Sequence, residues 1–412
     1  NNITLCSPLL TDRSKLVATF ATNGERVLVN GAEQISGYTS NDFSEPLQYM
    51  VFSSNGEMNI YNVSVSGTGL PTVIINTPKG VAVPPKTADW LEGTYIKIIN
   101  PDGTVDYEGK EDNIRGRGNS TWGYPKKPYA LKLDSKASIL GMPKHKRWVL
   151  LANWMDRTML RNRVAFTIAE KTCLAWTPRG EFVEVILNGK HVGNYYLCEQ
   201  IKVDENRVNI NELEDTDTEG DAITGGYLME LDTYYDEVNK FKSSIMELPY
   251  MFKEPDEDVL NKQQFAYMQN YVNRLEEVLY DDTYFAIREY AKYIDIDTYI
   301  DWWLVHEITF NGEPNHPKSS YMHKDKGGKL KAGPVWDFDW GTFVPTTTTL
   351  RLSKALYYER LLSDPVFVAR VKERWAELKP KFEEIPAFIE GEKVRLSKSA
   401  DINIQLWPIS SR

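Results

Sequence analysis

The apolar positions of the first 69 residues recur at every second place, and no helical period is present. Residues 16–22, 26–29, 47–53 and 58–66 are alternating or β-branched runs, the pattern of strands with one face against a core. Asn23-Gly24, Asn30-Gly31 and Asn55-Gly56 separate them, and Asn-Gly suits hairpin turns because both residues tolerate positive φ. The pattern predicts a small all-β, sandwich-like domain over 1–69, serving as an accessory or spacer. Ligand binding through its loops is the alternative reading.

From residue 70 the pattern changes. Strands are predicted over 72–76, 95–99 and 129–133, with turn chemistry at Pro101-Asp102-Gly103 and a Gly-rich basic segment over 114–122. Leu160, Val164 and Ile168 recur at i, i+4 and i+8, which predicts a helix over 156–171 with Asp156 capping its N-terminus. Strands follow over 182–187, 195–201 and 226–231, the first two joined at Asn188-Gly189. Helical stripes cover 261–279 and 296–310, and two short strands flank Lys326-Gly327-Gly328. A last helix over 365–378 has Asp364 at its N-cap and Pro365 at its first position. A β-rich stretch (about 70–235) before a helix-rich one (about 236–412) predicts an α+β domain of two lobes with a ligand cleft.

Composition narrows the function. With 412 residues and 42% hydrophobic content, the chain can build the core of two or three domains. The balance of 48 basic against 58 acidic residues, net −10, argues against nucleic acid as a partner, because polyphosphate binding needs a basic face. Only Lys126, Lys127 and Lys132 cluster locally. Cys6, Cys173 and Cys198 have neither zinc-ligand spacing nor the makings of a disulfide framework. If one pair forms in an oxidising compartment, Cys173–Cys198 is the expected one. No apolar run approaches the ~20 residues that span a bilayer. The chain opens on Asn1-Asn2-Ile3 rather than Met, which reads as a processed or trimmed chain; a removed export signal would not be visible.

Four segments carry candidate chemistry. In Trp336-Asp337-Phe338-Asp339-Trp340-Gly341, an extended chain would put Asp337 and Asp339 about 7 Å apart on one side and the aromatic residues on the other. Two such carboxylates suit Mg²⁺ (or Mn²⁺); a half-buried strand with its acids in water is the plainer reading. Arg115-Gly116-Arg117-Gly118-Asn119-Ser120-Thr121-Trp122 offers glycines for close backbone approach and donors for phosphate oxygens, or is a surface turn. Lys132 lies inside a predicted strand, where it either reaches water or contacts a phosphate. The loop from Glu307 to Ser320 crowds polar groups, Glu313 among them, and is stiffened by two prolines. An acid-bearing loop, short strands and then a metal-binding Asp is the order of protein kinases.

These residues, with Lys127-Pro128-Tyr129, Lys132-Leu133-Asp134, Asp156-Arg157-Thr158, Glu199-Gln200-Ile201, Asn206-Arg207-Val208, Gly225-Gly226-Tyr227 and Gly333-Pro334-Val335-Trp336-Asp337-Phe338-Asp339, resemble the CotH (spore coat protein H) kinase family over about 70–407. The resemblance implies a two-lobed, protein-kinase-like fold that uses ATP and Mg²⁺ (or Mn²⁺) to phosphorylate Ser residues of proteins. It implies Lys132 as the nucleotide lysine, with Glu199 as its partner. Arg115, Arg117, Asn119 and Ser120 would lie along the nucleotide, and Asp337 with Asp339 would hold the metal. The family's catalytic loop has an Asp two residues after the Asn that ends the preceding helix; here, two after Asn311, stands Glu313. The extra methylene moves the carboxylate by about an ångström, enough to cost ~10²-fold in rate. The family's final segment is also expected beyond Arg412. By analogy the protein is a monomeric, secreted or cell-envelope bacterial protein, conceivably a lipoprotein tethered through a removed N-terminal segment, with a protein acceptor. A nucleotide- or polymer-holding module without turnover is the alternative. Glycan hydrolysis by Glu313 and Asp337 is a third reading.

Overall fold

A computed structural model describes residues 1–7 and 13–408. The chain forms two units, Asn1–Ala152 with Glu181–Leu197 and Lys393–Arg412, and Asn153–Gly180 with Cys198–Glu392. The architecture is mixed α+β.

The first unit begins with an all-β region. It comprises β1 (Asn2–Ser7), β2 (Leu16–Val17), β3 (Arg26–Val29), β4 (Ala32–Glu33), β5 (Ser40–Asn41), β6 (Leu47–Phe52) and β7 (Met58–Gly67). They make a five-stranded sheet, β1-β7-β6-β3-β4, and a two-stranded sheet, β2-β5. Val27, Val29, Phe43, Tyr49, Val63 and Val65 form its core. The Asn30-Gly31 turn has both residues at positive φ (48° and 79°), as its hairpin requires. The strand expected over 16–22 stops at Val17: the Phe20 N–H donates to the Ser36 hydroxyl, which donates in turn to the Phe20 carbonyl, in place of pairing with a neighbouring strand.

The rest of this unit is built on a closed barrel. Its strands are β8 (Thr72–Asn76), β9 (Leu91–Ile99), β10 (Val105–Gly116), β11 (Tyr129–Ile139), β12 (Met142–Leu151), β13 (Gly180–Leu187) and β14 (Lys190–Glu199). They close in the order β10-β11-β12-β14-β13-β8-β9. Alternation sorts the side chains. Ile114, Leu131 and Trp148 lie directly across neighbouring strands and are fully buried, which places the residues between them on the outer face. Residues 393–406 belong to a helix that was not foreseen; there Asn403 Oδ1 accepts from Lys126 Nζ (2.9 Å) and from the Asn194 N–H (3.2 Å).

The second unit holds a sheet of β15 (Tyr227–Leu231), β16 (Lys240–Lys242), β17 (Pro249–Glu254), β18 (Ser320–Lys324) and β19 (Leu330–Ala332), in the order β16-β17-β15-β18-β19. Its helices are α1 (Arg161–Glu170), α2 (Lys262–Tyr280), α3 (Asp282–Ala286), α4 (Ile296–Ile308), α5 (Tyr358–Leu361) and α6 (Pro365–Phe382), with the start of α7 (Ile385–Leu406). Asn261 and Gln264 form a capping box on α2, and Asp364 caps α6 through the Val366 N–H. The helix expected from 156 begins instead at Arg161. Met159 takes a left-handed conformation (φ 64°), so Asp156 braces the preceding turn, accepting from the Thr158 and Arg161 N–H groups. The expected Cys173–Cys198 disulfide is not formed; Cys198 is buried and Cys173 exposed. Among the described residues no helix is long and apolar enough to cross a membrane.

Candidate active site

The acidic residues singled out from the sequence come together in the second unit, by turns. Helix α4 ends at Ile308, and Phe310 (φ 53°) reverses the chain. The next residue, Asn311, is buried. Its N–H donates to the His306 carbonyl (2.8 Å), and its side-chain carbonyl accepts the Glu313 N–H (3.0 Å). Pro314 then starts a single 3₁₀ turn over Glu313–Asn315. Asn311 thus fixes the backbone on which the half-buried Glu313 stands.

The Asp337 segment departs from expectation. It is not a strand: Asp337 has φ 66°, a left-handed conformation that Asp and Asn adopt more readily than most residues. Trp336 and Phe338 do face the protein. Both pack on Phe166 of α1, with ring centroids 5.8 Å and 6.4 Å away, and Phe338 stacks on His306 at 5.1 Å. Trp340, expected beside them, is 59% exposed, because the turn at 337 breaks the alternation. Polar contacts fix the same turn. The Phe338 N–H donates to Asn162 Oδ1 (2.8 Å), Arg161 to the Asp339 carbonyl (3.3 Å), and the Thr342 hydroxyl to the Phe338 carbonyl (2.5 Å).

Charge is concentrated here. Burial first, and then the neighbouring Asp337 carboxylate, push the Glu313 carboxyl up to about 8, against the pull of Lys318. Asp339 is raised well above the carboxylate range by burial, by Asp337, by Asp156 and by a hydrogen bond with Asp337. Such a pair is stable when the two carboxyls share a proton or a cation neutralises them. Two further acids line the site. Asp232, at the end of β15, accepts the Tyr234 (2.8 Å) and Ser319 (3.2 Å) N–H groups and is raised chiefly by burial. Asp156 is fully buried and likewise raised by burial. Asp232 had no readable signal of a role in this site; Asp156 stood in a motif of the family resemblance and Lys318 in the loop of Glu313, but neither was marked as a neighbour of the acidic pair. His306 is buried and stacked between Trp302 and Phe338, and burial pulls it down to about 3.

Among the described residues, no three His, Cys, Asp or Glu side chains are arranged as a metal-binding cluster. The donor chemistry nevertheless fits a divalent cation completed by phosphate oxygens, which takes one or two carboxylates from the protein. Asp337 and Asp339 share a hydrogen bond in a site where Lys318 opposes Glu313 and Arg161 pairs with Asp156 (3.5 Å).

The candidates for the nucleotide, Lys132, Arg115, Arg117, Asn119 and Ser120, belong to the first unit. Lys132 is half-buried on the outer face of β11, and Arg115 ends β10 on the same face. Arg117 donates its N–H to the Pro128 carbonyl (3.3 Å), Asn119 accepts from Lys86, and Ser120 opens a 3₁₀ turn. Glu199 is in the second unit, fully buried. Arg179 grips it with two guanidinium hydrogen bonds (2.9 and 2.8 Å), and Arg207 approaches to 3.8 Å. The expected lysine partner is thus a carboxylate held by two arginines.

Comparison with curated protein sequences finds no match. A family comparison does: CotH kinase protein matches residues 114–397, more than half of the chain. The matched span takes in Lys132, Glu313, Asp337 and Asp339, and the protein belongs to the CotH kinase family.

Proposed function

We propose that the protein is an ATP- and Mg²⁺- (or Mn²⁺-) dependent protein-kinase-like enzyme that phosphorylates Ser residues of secreted or cell-surface proteins. The observation that carries the reading is the convergence of Glu313, Asp337 and Asp339 on one half-buried site in a chain of this family. Asp337 and Asp339 would hold the cation, which when bound supplies positive charge to the phosphate oxygens. Glu313 takes the proton of the acceptor hydroxyl as its oxygen bonds to the γ-phosphorus and the bond to the β-phosphate oxygen breaks, releasing ADP. Asn311 holds Glu313 in place through its backbone, and the packed Phe338 anchors the turn that presents Asp337. On the barrel, Lys132, Arg115, Arg117, Asn119 and Ser120 would contact the nucleotide. A location in the bacterial envelope, a monomeric state and a protein partner belong to the same proposal.

Transfer of labelled γ-phosphate to a panel of Ser-containing proteins, and to the protein itself, tests it. Wild type should transfer and Asp337→Asn should not. Absence of transfer to every acceptor would remove the enzyme.

One observation favours a second reading, a nucleotide-holding module without turnover. A Glu313 carboxyl at about 8 keeps its proton at neutral pH and is a poor base there. ATP binding by calorimetry with no transfer between pH 6 and 9 would select it.

A further inference from the structure

Beside Glu313 stands a cation that the chemistry above does not use. Residues 343–352 leave the C-terminal turn of α4 and return to it. The Phe343 N–H donates to the Thr309 carbonyl (2.6 Å), and the Arg351 and Leu352 N–H groups donate to the Glu307 carboxylate (2.8 and 2.6 Å). Residues 344–350, between these clamps, are exposed, so the segment is an Ω-shaped loop, a class that is frequently functional. Its return brings Arg351 onto the turn that bears Glu313. The guanidinium lies 5.1 Å from the Phe310 ring centroid. It rests against Gly312, where any Cβ would collide with it; glycine at this position is what lets the cation approach the backbone. The Asn315 side chain donates to the Arg351 carbonyl (3.1 Å) and ties the loop to the same 3₁₀ turn. Arg351 is exposed. Among the described residues no carboxylate oxygen comes within 4.0 Å of its guanidinium, and the Glu307 carboxylate is engaged by backbone.

Lys318, in the loop that follows Glu313, is built alike. Its ammonium lies 5.0 Å from the Tyr234 ring centroid, and it opposes the rise of the Glu313 carboxyl. It too has no carboxylate oxygen within 4.0 Å among the described residues. Two cations, each steadied on an aromatic face, thus flank the acid that meets the acceptor. The acids between them are half-buried or buried and are neutralised by protons or by a bound cation, whereas the guanidinium faces outward. An arginine already held flat loses little freedom when it pairs, and its fork matches a carboxylate two bonds at a time. Consecutive Cα atoms are about 3.8 Å apart, and Gly312 directly precedes Glu313. An extended acceptor chain advances ~3.3 Å per residue. With its hydroxyl at Glu313, its side chains one or two residues away come beside Arg351.

We propose that Arg351 is a specificity-determining residue that selects acceptor chains carrying Asp or Glu within two residues of the target hydroxyl, with Lys318 as the second cation of that surface. The inference rests on the kinase reading for the hydroxyl and adds the class of acceptor: an acidic polypeptide.

The test uses the full chain and synthetic Ser peptides that differ only in having Glu, Gln or Lys on both sides of the serine. Transfer of labelled γ-phosphate is measured, and so is peptide binding by fluorescence anisotropy without nucleotide. Wild type should favour the Glu peptides over the Gln peptides about 10-fold or more in kcat/KM. Arg351→Gln should abolish most of that preference by raising KM for the peptide while KM for ATP stays as in wild type. Arg351→Lys, which keeps the charge and loses the fork, should retain part of it, and Arg351→Glu should turn the preference toward the Lys peptides. Circular dichroism checks that each variant is folded. Transfer with no dependence on flanking charge, or a preference unchanged in Arg351→Gln, overturns the inference and leaves the kinase reading standing. A rise in KM for ATP alone also overturns it, because Arg351 would then face the nucleotide. Arg351-dependent binding of the Glu peptides without any transfer keeps the acidic docking surface and removes the kinase reading. If there is neither transfer nor Arg351-dependent binding, both fall.

Discussion

The acidic site of the second unit and the cationic face of the barrel, where Arg115, Lys132 and Arg147 stand on adjacent strands, pose the same electrostatic problem and meet it differently. Each sets like charges side by side in a partly desolvated place. The acids respond by taking up protons: Glu313 is pushed up to about 8, and Asp339 is raised well above its ordinary range. The arginines of the barrel cannot release a proton, so there like charge is met by neighbouring groups and by salt. The acidic site is thus tuned by pH and by cations, the cationic face by ionic strength. The two are also assembled differently. Strand register alone lines up Lys132 with Arg147, whereas α4, a 3₁₀ turn and a left-handed residue bring Glu313 to Asp337.

The sharpest way to break this comparison is at Asp337. Asn tolerates the positive φ of this position (66°), so Asp337→Asn removes the charge and leaves the turn. Phosphoryl transfer should fall about 10²–10³-fold or more, as when a preorganised electrostatic group is lost. Thermal stability near pH 8 should rise, because Glu313 loses the neighbour that opposes its ionisation. Equal transfer rates for the two proteins would detach the acidic site from the chemistry.

Next in size is the packing that builds the turn. Phe338 is fully buried against Phe166 and His306, and Phe338→Ala should cost ~3–5 kcal/mol of unfolding free energy in urea titration. Trp340→Ala, two residues on and largely exposed, should stay within ~0.5 kcal/mol. Similar losses for both would mean that the segment is an alternating strand after all.

The contrast between these two aromatics marks what was legible in the sequence. Trp336, Phe338 and Trp340 alternate, and alternation alone put all three inside; only the backbone at Asp337 separates Trp340 from the others. Hydrophobic period located most strands and the helices at 262–280, 296–308 and 365–382, because there burial and local propensity agree. It missed β10 and β12, where exposed charged residues such as Lys110, Glu111, Lys144 and Lys146 interrupt the apolar pattern. In the site, Glu313, Asp337 and Asp339 stood out through their aromatic and proline neighbours. Asp232 and Asp156 did not, because their role depends on the Ser319 and Arg161 N–H groups that reach them only in the folded chain.

A smaller effect separates the acidic site by pH. In the unfolded chain Glu313 titrates near its ordinary value of 4.5, and in the folded protein at about 8. The folded state therefore binds the proton more tightly. The associated stability is fully present below about 4.5 and is lost as pH rises through about 8. In a chelator-containing buffer, Glu313→Gln should match wild type near pH 5 and melt several degrees higher, on the order of 2–4 °C per kcal/mol, at pH 9. Melting curves that run parallel across this range would show that Glu313 ionises freely.

The smallest effect belongs to the cationic face and has the opposite dependence. Lys132→Gln removes one of two cations placed directly opposite each other on β11 and β12. The side chain stays polar on an outer face, so no cavity opens in the barrel core, and the change isolates the repulsion. Cross-strand like charges cost ~0.2–1 kcal/mol, so the variant should gain a few tenths of a kcal/mol in low-salt urea titration. At 1 M salt, where the screening length falls to about 3 Å, the gain should disappear. It should not vary between pH 5 and 8, where neither an ordinary lysine nor an arginine titrates. A gain that persists at high salt would mean that packing rather than charge sets the stability of this face. A gain that changed with pH across this window would show that the cationic face also answers to protons, and the distinction between the two sites would fail.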